Sequence, residues 1–420
     1  MSTHKTKVFV TGIGIISPAG VGIESLRKVL QEGASTASDI IGDDFFEFPV
    51  KYACQINNFN PLDYINFRFS RHMTRCSQFG VAASLLAVRD SNLDFSIISS
   101  DRIQIYEGTS MGGLHNILAD YKNFLDGGYQ NMNPSTSAQA FIGSTTGEIA
   151  ILLGLQSRSI TICSGSASAS DAIGLGFEQV SSGAIDVAIV GGSEAPIVPA
   201  VVASFCRAGV VSMRNSSPQT APRAFTADRD GFIVGEGAAF LILESERNAK
   251  ARHAKIYAEL AGFGNSCDAY QMLSPHPEGT GILLAANRAM QRAEVSAEDV
   301  EYVNAHGTGT RLNDKYETVA FRRIFGKNIP NIRVSSTKPI TGHLLGACGA
   351  IEAIVCILSI QHGFIPPIIN YFHPDPECEL NFVQNKSENK DVSVTMSFTY
   401  GFGGKNSVLI FRKVNNLVQT

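Results

Sequence analysis

The order of apolar runs is the strongest constraint in this chain, because the same order occurs twice. Five strand-like runs come first: Val8–Thr11, Ile103–Gly108, Ile160–Ile162, Ile185–Glu194 and Ala238–Leu243. Five more follow: Ile256–Gly264, Val303–Thr310, Val334–His343, Val392–Phe398 and Ser407–Phe411. Helical patterns lie between them, and several runs end in glycine-rich turns. Apolar runs without polar alternation suit strands covered on both faces. Interleaved with helices and repeated in order, they predict two packed α/β halves, residues 1–254 and 255–420. Polar, aperiodic stretches at 35–70 and 115–145 read as a surface insertion and a loop-rich cap on the first half. Sites in open α/β sheets lie at the carboxyl ends of strands. The turns of both halves are therefore expected to converge on one pocket.

A length of 420 residues fits two domains or one large duplicated core. The net charge of −4 gives no basic footprint for nucleic acid and no polybasic patch for a membrane surface. No apolar run approaches the length of a bilayer span, and the first strand begins too early to leave room for a signal peptide. The eight cysteines are scattered, with no CxxC pair and no zinc-ligand spacing. A reduced, cytoplasmic enzyme is expected, with no metal, no nucleic-acid partner and no membrane insertion. The glycines of Gly12-Ile-Gly-Ile-Ile-Ser-Pro-Ala-Gly20 do not fit G-x-G-x-x-G, which argues against a dinucleotide site.

The third unit of each half carries the chemistry. In Ile160-Thr-Ile-Cys-Ser-Gly-Ser166-Ala-Ser-Ala-Ser-Asp171, a β-branched run breaks at Gly165 and leads into a small-residue helix. Such a turn projects one side chain and aims helical N–H groups at developing negative charge. Ser166 occupies the apex. The second half offers His306 within Asn304-Ala-His-Gly-Thr-Gly-Thr310, and Lys338 and His343 within Ser336-Thr-Lys-Pro-Ile-Thr-Gly-His343. A nucleophile-like residue, two histidines and a lysine suggest acyl transfer or proton chemistry. A lone histidine at such a turn is more often a structural hydrogen-bonding residue, and two in parallel positions of a repeated chain shift the balance toward function. Glu352 falls in an apolar helical run, where an unpaired carboxylate is costly, so Lys338 is its expected partner.

These motifs, together with Ser336–Ala353, Gly401-Phe-Gly-Gly404, Val10–Gly14, Arg229–Gly237 and Asp186–Glu194, resemble the elongating β-ketoacyl-acyl-carrier-protein synthases over nearly the whole chain. Gly165 and Asp171 lean toward the ketosynthase subunit of type II polyketide systems. The resemblance implies a thiolase-like fold, two duplicated five-stranded α/β halves in a five-layered αβαβα core. It implies decarboxylative Claisen condensation of malonyl-acyl-carrier protein with an acyl chain, in fatty acid or polyketide biosynthesis. No cofactor is implied beyond the phosphopantetheine of the acyl carrier protein. The implied partners are that carrier protein and a second subunit, either another copy or a chain-length-factor-like paralogue.

By the same resemblance, the backbone N–H groups of Ser166 and Tyr400 form the oxyanion hole, and Tyr400 replaces a gating aromatic that is usually phenylalanine. His306 and His343 bind the malonyl carbonyl and stabilise the enolate, with Lys338 and the supporting Glu352 setting the local charge. Thr308 and Thr310 bind the phosphopantetheine arm, and Phe232 lines the malonyl side. Lys405 departs from the small polar residue expected there.

The main departure is Ser166, where condensing members carry cysteine. Cys163 lies three residues earlier, in the strand before the turn, and is no easy substitute. A thiol at a helix N-terminus ionises near neutral pH, whereas a serine hydroxyl needs a positioned base. Impaired condensation is expected, from either an engineered trap or a natural low-activity form. Two alternatives remain: a non-condensing chain-length-factor-like subunit, and a serine acyltransferase or decarboxylase on the same fold. Retention of both histidines and the lysine favours the condensing reading.

Overall fold

In the computed structural model, which describes residues 6–42, 45 and 48–414, ten strands follow one another as a single hydrogen-bonded path. The chain's two ends and part of the 35–70 stretch lie outside the described residues. The first part runs β1 (Val8–Ser17), α1 (Ile23–Glu32), α2 (Arg75–Ser91), β2 (Ile103–Gly108), α3 (Leu114–Gly127), α4 (Ser144–Leu153), β3 (Arg158–Ile162), α5 (Ser168–Ser181), β4 (Val187–Glu194), α6 (Pro199–Ala208) and β5 (Gly237–Ser245). The second runs β6 (Ala258–Cys267), α7 (Thr280–Ala293), β7 (Tyr302–Asn304), α8 (Arg311–Phe325), β8 (Arg333–Ser335), α9 (Cys348–His362), β9 (Val394–Gly401) and β10 (Lys405–Arg412).

The strand order is β3-β2-β4-β5-β1, then β6-β10-β9-β7-β8. Each set of five has the same pattern: the two outer pairings are parallel and the two inner ones antiparallel. The sets join through a short antiparallel contact of β1 with β6, at Val8–Leu260, Phe9–Glu259 and Val10–Ala258. Around this seam the sheet folds over two central helices, α5 and α9, which touch each other and strands of both sets. Helix α2 covers the outer face of β1, β4 and β5, and α7 covers β6 and β10. The result is the five-layered arrangement that the resemblance implies.

Burial explains why α9 is apolar all round. Every residue from Cys348 to Ile360 is buried, as expected for a helix with protein on all sides. This corrects one reading of the sequence. The helical run Leu345–His362 is long and apolar enough to cross a membrane, yet 89% of it is buried inside the fold, so its hydropathy reflects a core position. Two further expectations change. Tyr52, Cys54, Ile56 and Ile65 of the supposed surface insertion are buried, and Tyr52 Oη donates to the Ser212 carbonyl at 2.8 Å. The supposed loop-rich cap is largely helical, with α3 followed by a short helix at Thr136–Ala140.

The two central helices cross at a glycine. A Cβ on Gly349 would lie 2.1 Å from Ser170 Oγ and 3.0 Å from Ser170 N. Gly349→Ala is therefore expected to destabilise the protein by about 1–3 kcal/mol through overpacking. Chemical denaturation checks this, and Ser170→Ala in the same chain should recover part of the loss.

Candidate active site

The Ser166 turn is shaped by residues immediately around it. Gly165 has φ +62°, a left-handed conformation that a Cβ would strain. Ser168, the first residue of α5, accepts the Ser164 N–H at 2.9 Å and donates to the Gly165 carbonyl. The Gly401–Gly404 turn packs directly on this backbone. A Cβ on Gly401 would sit 2.4 Å from the Ser164 carbonyl oxygen and 3.1 Å from Ser166 N. Cys163 lies just beyond β3, exposed, with its thiol toward the Ser110 carbonyl at 3.7 Å.

His306 follows β7 on a turn whose backbone N–H groups are held by a buried carboxylate. Glu317 of α8 accepts from His306 N at 2.7 Å and from Gly307 N at 2.8 Å. Lys338 begins the one-turn helix Lys338–Thr341 after β8. Its Nζ donates to the His306 carbonyl at 2.7 Å, approaches His306 Nδ1 at 3.0 Å and bonds to Glu352 of α9. Three donors on the ammonium meet three acceptors. This fixes the His306 tautomer: Nδ1 accepts from lysine, so the ring proton is on Nε2.

His343 is seated by backbone bonds to the Ile233–Gly235 segment, its N–H donating to the Ile233 carbonyl at 2.7 Å. Its Nε2 lies 3.0 Å from Ser166 Oγ, and its buried Nδ1 has no partner among the described residues. The two imidazoles meet edge to face, 5.4 Å between centroids, with Phe232 5.0 Å from His343 and Tyr400 5.2 Å from His306. Thr308 and Thr310 lie half-buried beside this group, their hydroxyls 2.9 Å apart. Ser166, Tyr400, His306, His343, Lys338, Glu352 and Phe232 are thus brought together. Lys405 is exposed at the start of β10, outside this cluster.

Electrostatics follow from burial. Desolvation, and then the Lys338 charge, hold both histidines well below the ordinary imidazole range, so both are neutral at pH 7. Burial opposes the Lys338 charge, and the Glu352 carboxylate overcomes it, holding the lysine above its ordinary range. Burial, then the Glu317 carboxylate, push the Tyr400 phenol well up. The donor atoms of His306, Cys348 and Glu352 lie within 4.8 Å of one another, a spacing that suits a cation. Lys338 Nζ is bonded to two of these residues and supplies the positive charge.

Two contributors carry no signal in the sequence. Glu317 sits in a mixed, charged helix with nothing to distinguish it from a solvated residue. Cys348, first in α9, directs its thiol at the Ser166 carbonyl, 3.3 Å away, from behind the turn.

A duplicated sheet folded over two helices, with the strand-end turns of both halves meeting at one cluster of polar side chains, defines a condensing enzyme of thiolase-like fold. The comparisons agree. Residues 5–249 match the model of the β-ketoacyl synthase N-terminal domain, and residues 257–372 that of the β-ketoacyl synthase C-terminal domain. The chain is 38% identical over 413 residues to 3-oxoacyl-[acyl-carrier-protein] synthase 2 of Staphylococcus aureus (strain COL), covering 98% of this chain and 99% of that one. Among solved structures, the ishigamide ketosynthase/chain length factor matches with TM-score 0.92 and 34% identity, covering 98% of this chain and 100% of that chain. A type II PKS acyl-carrier protein in complex with its ketosynthase bound to the hexaketide gives TM-score 0.91 and 30% identity, with coverage of 98% and 100%. The chain belongs to the β-ketoacyl synthase family, whose members are acyltransferase-type condensing enzymes.

Glu317 gives a test of this local scaffold. Burial pushes its carboxyl from 4.5 up to about 8. Between those values the unfolded chain releases the proton while the folded chain keeps it, so stability falls as pH rises, by at most about 1.4 kcal/mol per pH unit. Glu317→Gln removes this slope. Denaturation at about pH 5.5 and about pH 7.5 should show the variant gaining on wild type at the higher pH.

Proposed function

We propose that this chain is a condensing β-ketoacyl synthase that carries its acyl chain as an ester on Ser166. The observation that carries this reading is the 3.0 Å contact of Ser166 Oγ with His343 Nε2, beside the Lys338–Glu352 pair and His306. His343 takes the Ser166 proton as the hydroxyl attacks the acyl thioester, and returns it to the departing thiolate. The backbone N–H groups of Ser166 and Tyr400 hold the developing oxyanion. The malonyl thioester then enters between the histidines. Its C–CO2 bond breaks, carbon dioxide leaves, and His306 Nε2–H holds the enolate oxygen. The enolate carbon attacks the ester carbonyl and a C–C bond forms; the Ser166 C–O bond breaks, and its oxygen takes a proton from solvent water by way of His343 Nε2, which balances the proton consumed when carbon dioxide leaves.

The acyl groups arrive on the phosphopantetheine of an acyl carrier protein, whose arm Thr308 and Thr310 hydrogen-bond, with Phe232 beside the malonyl group. The chain is organised as halves 1–254 and 255–420 and works in the cytoplasm as a dimer, with a second copy or a chain-length-factor-like subunit.

The serine makes the first half-reaction slow. To accept from Ser166, His343 Nε2 must be bare and Nδ1 must hold the proton, with no carboxylate behind it among the described residues. To donate toward an enolate, the same Nε2 must carry a proton. One ring atom serves both duties only by changing tautomer. A second reading, a serine acyltransferase that passes the acyl group from Ser166 to an alcohol to make an ester, rests on this same contact.

Intact-mass kinetics with acyl-carrier protein and malonyl-carrier protein test the reading. Ser166 is expected to acylate slowly, and Ser166→Cys about 10²–10⁴-fold faster, because the thiolate dispenses with the base. His343→Ala should abolish ester formation on Ser166 yet spare thioester formation in Ser166→Cys. If Ser166→Cys neither acylates nor elongates, even with a partner subunit, the condensing reading is wrong. A stable acyl adduct on Ser166 that turns over to an ester without elongation favours the second reading. Because His343 is already neutral, Ser166 acylation should be flat from about pH 6.5 to about pH 8 and fall only in more acidic solution.

A further inference from the structure

Asp171 and Lys405 each depart from their surroundings in sequence, and the strand register places them on one feature. Asp171 lies in the first turn of α5, where its Oδ2 accepts from Ser164 Oγ at 2.6 Å. Ser164 is the residue whose carbonyl meets Gly401, so this bond holds the contact point between the nucleophile turn and the Gly401–Gly404 turn. The second carboxylate oxygen, Oδ1, is buried and makes no hydrogen bond among the described residues.

The groups facing that carboxylate come from the second half. Ser407 of β10 is the register partner of Thr399, whose hydroxyl lies 2.8 Å from Ser170 Oγ of α5, so Ser407 faces α5, with Asn265 of β6 as its other register partner; Lys405 makes no ion pair with Asp171 among the described residues and acts on that carboxylate through its charge at longer range. Side chains two apart on a strand share a face, so Lys405 points to the same side of β10 as Ser407. Lys405 is also the cross-strand partner of Gly401. The positive charge is thereby attached to one turn and the negative charge to the other.

We propose that Asp171 and Lys405 are a pair of positioning residues that draw the Ser166 turn and the Tyr400–Gly401 turn together. The two turns supply the N–H groups assigned above to the oxyanion hole, so this inference rests on that acyl-transfer reading. Two donors on separate halves of the chain need a fixed separation to reach one oxygen. A charge pair spanning the seam supplies it without entering the site. Lys405 also offsets the carboxylate charge that Asp171 places in the first turn of α5, where negative charge would otherwise compete with the oxyanion for the helix N-terminus.

The test uses full-length Ser166→Cys as the background, so that acylation is fast enough to measure. Asp171→Asn, Lys405→Met and the double substitution are compared in two reactions of the introduced thiol: acylation by an acyl thioester, and alkylation by iodoacetamide. Alkylation uses the same nucleophile and no oxyanion hole. Each single substitution is expected to slow acylation about ten-fold and leave alkylation unchanged. The double substitution should be no slower than the worse single one, because the two groups act as a unit. Lys405 is exposed, so its variant reports even where an Asp171 variant folds poorly. Unchanged acylation in Lys405→Met, multiplicative losses in the double variant, or equal losses in both reactions would each overturn the pairing. If the Ser166→Cys background takes no acyl group at all, the acyl-transfer reading fails first, and the pair's role falls with it.

Discussion

The candidate site is arranged around one buried positive charge. An ammonium taken out of water costs several kcal/mol unless its donors are met, and Lys338 is 3% exposed. Its three acceptors come from two elements: the Glu352 carboxylate from α9, and the carbonyl and Nδ1 of His306 from the turn after β7. Holding that charge therefore fixes the crossing of α9 under the sheet, the path of the His306 turn and the tautomer of its ring. Together with burial, which contributes more, it also keeps both imidazoles neutral. The lysine needs no contact with substrate to have these effects.

That arrangement favours anions, which explains why serine and cysteine are unequal here. A thiolate, an oxyanion or an enolate gains from a nearby ammonium and a helix N-terminus. An imidazolium loses from both. For Ser166 to react, His343 must become positive while Lys338 is already positive and Nδ1 has no carboxylate to face among the described residues. A cysteine avoids that step by ionising on its own. With serine rather than cysteine at this turn, the difficulty lies in proton transfer.

Much of this was legible in the chain. The repeated order of apolar runs became the repeated strand order, and the turns at Ser166, His306 and His343 were identified by the residues that break the pattern. Pairing of Lys338 with Glu352 followed from the cost of a carboxylate in an apolar helix. Glu317 was invisible, because Arg311-Leu-Asn-Asp-Lys-Tyr-Glu reads as a solvated helix start and only the fold turns that face inward. The 35–70 stretch misled for the opposite reason: Tyr52, Ala53, Cys54 and Ile56 are buried, a run too short to show a period amid polar neighbours. Asp171 and Lys405 stood out separately. Their relation depends on the register of β6, β9 and β10, which no local pattern encodes.

The duplication itself accounts for where Ser166 and His343 come from. The third unit of the first half, β3 into α5, supplies Ser166, and the third unit of the second, β8 toward α9, supplies His343. Helices α5 and α9 touch at Gly349 and Ser170, so their N-terminal ends are held side by side. At those ends the Cys348 thiol reaches the Ser166 carbonyl. Because each half brings a helix N-terminus to the same place, the doubled fold adds its own positive field to that of Lys338. A histidine set between two such ends is a poor base wherever it is placed. Substituting the nucleophile alone therefore cannot turn this site into an efficient serine enzyme; a carboxylate behind Nδ1 of His343 would be needed as well. That atom is buried and has no partner among the described residues.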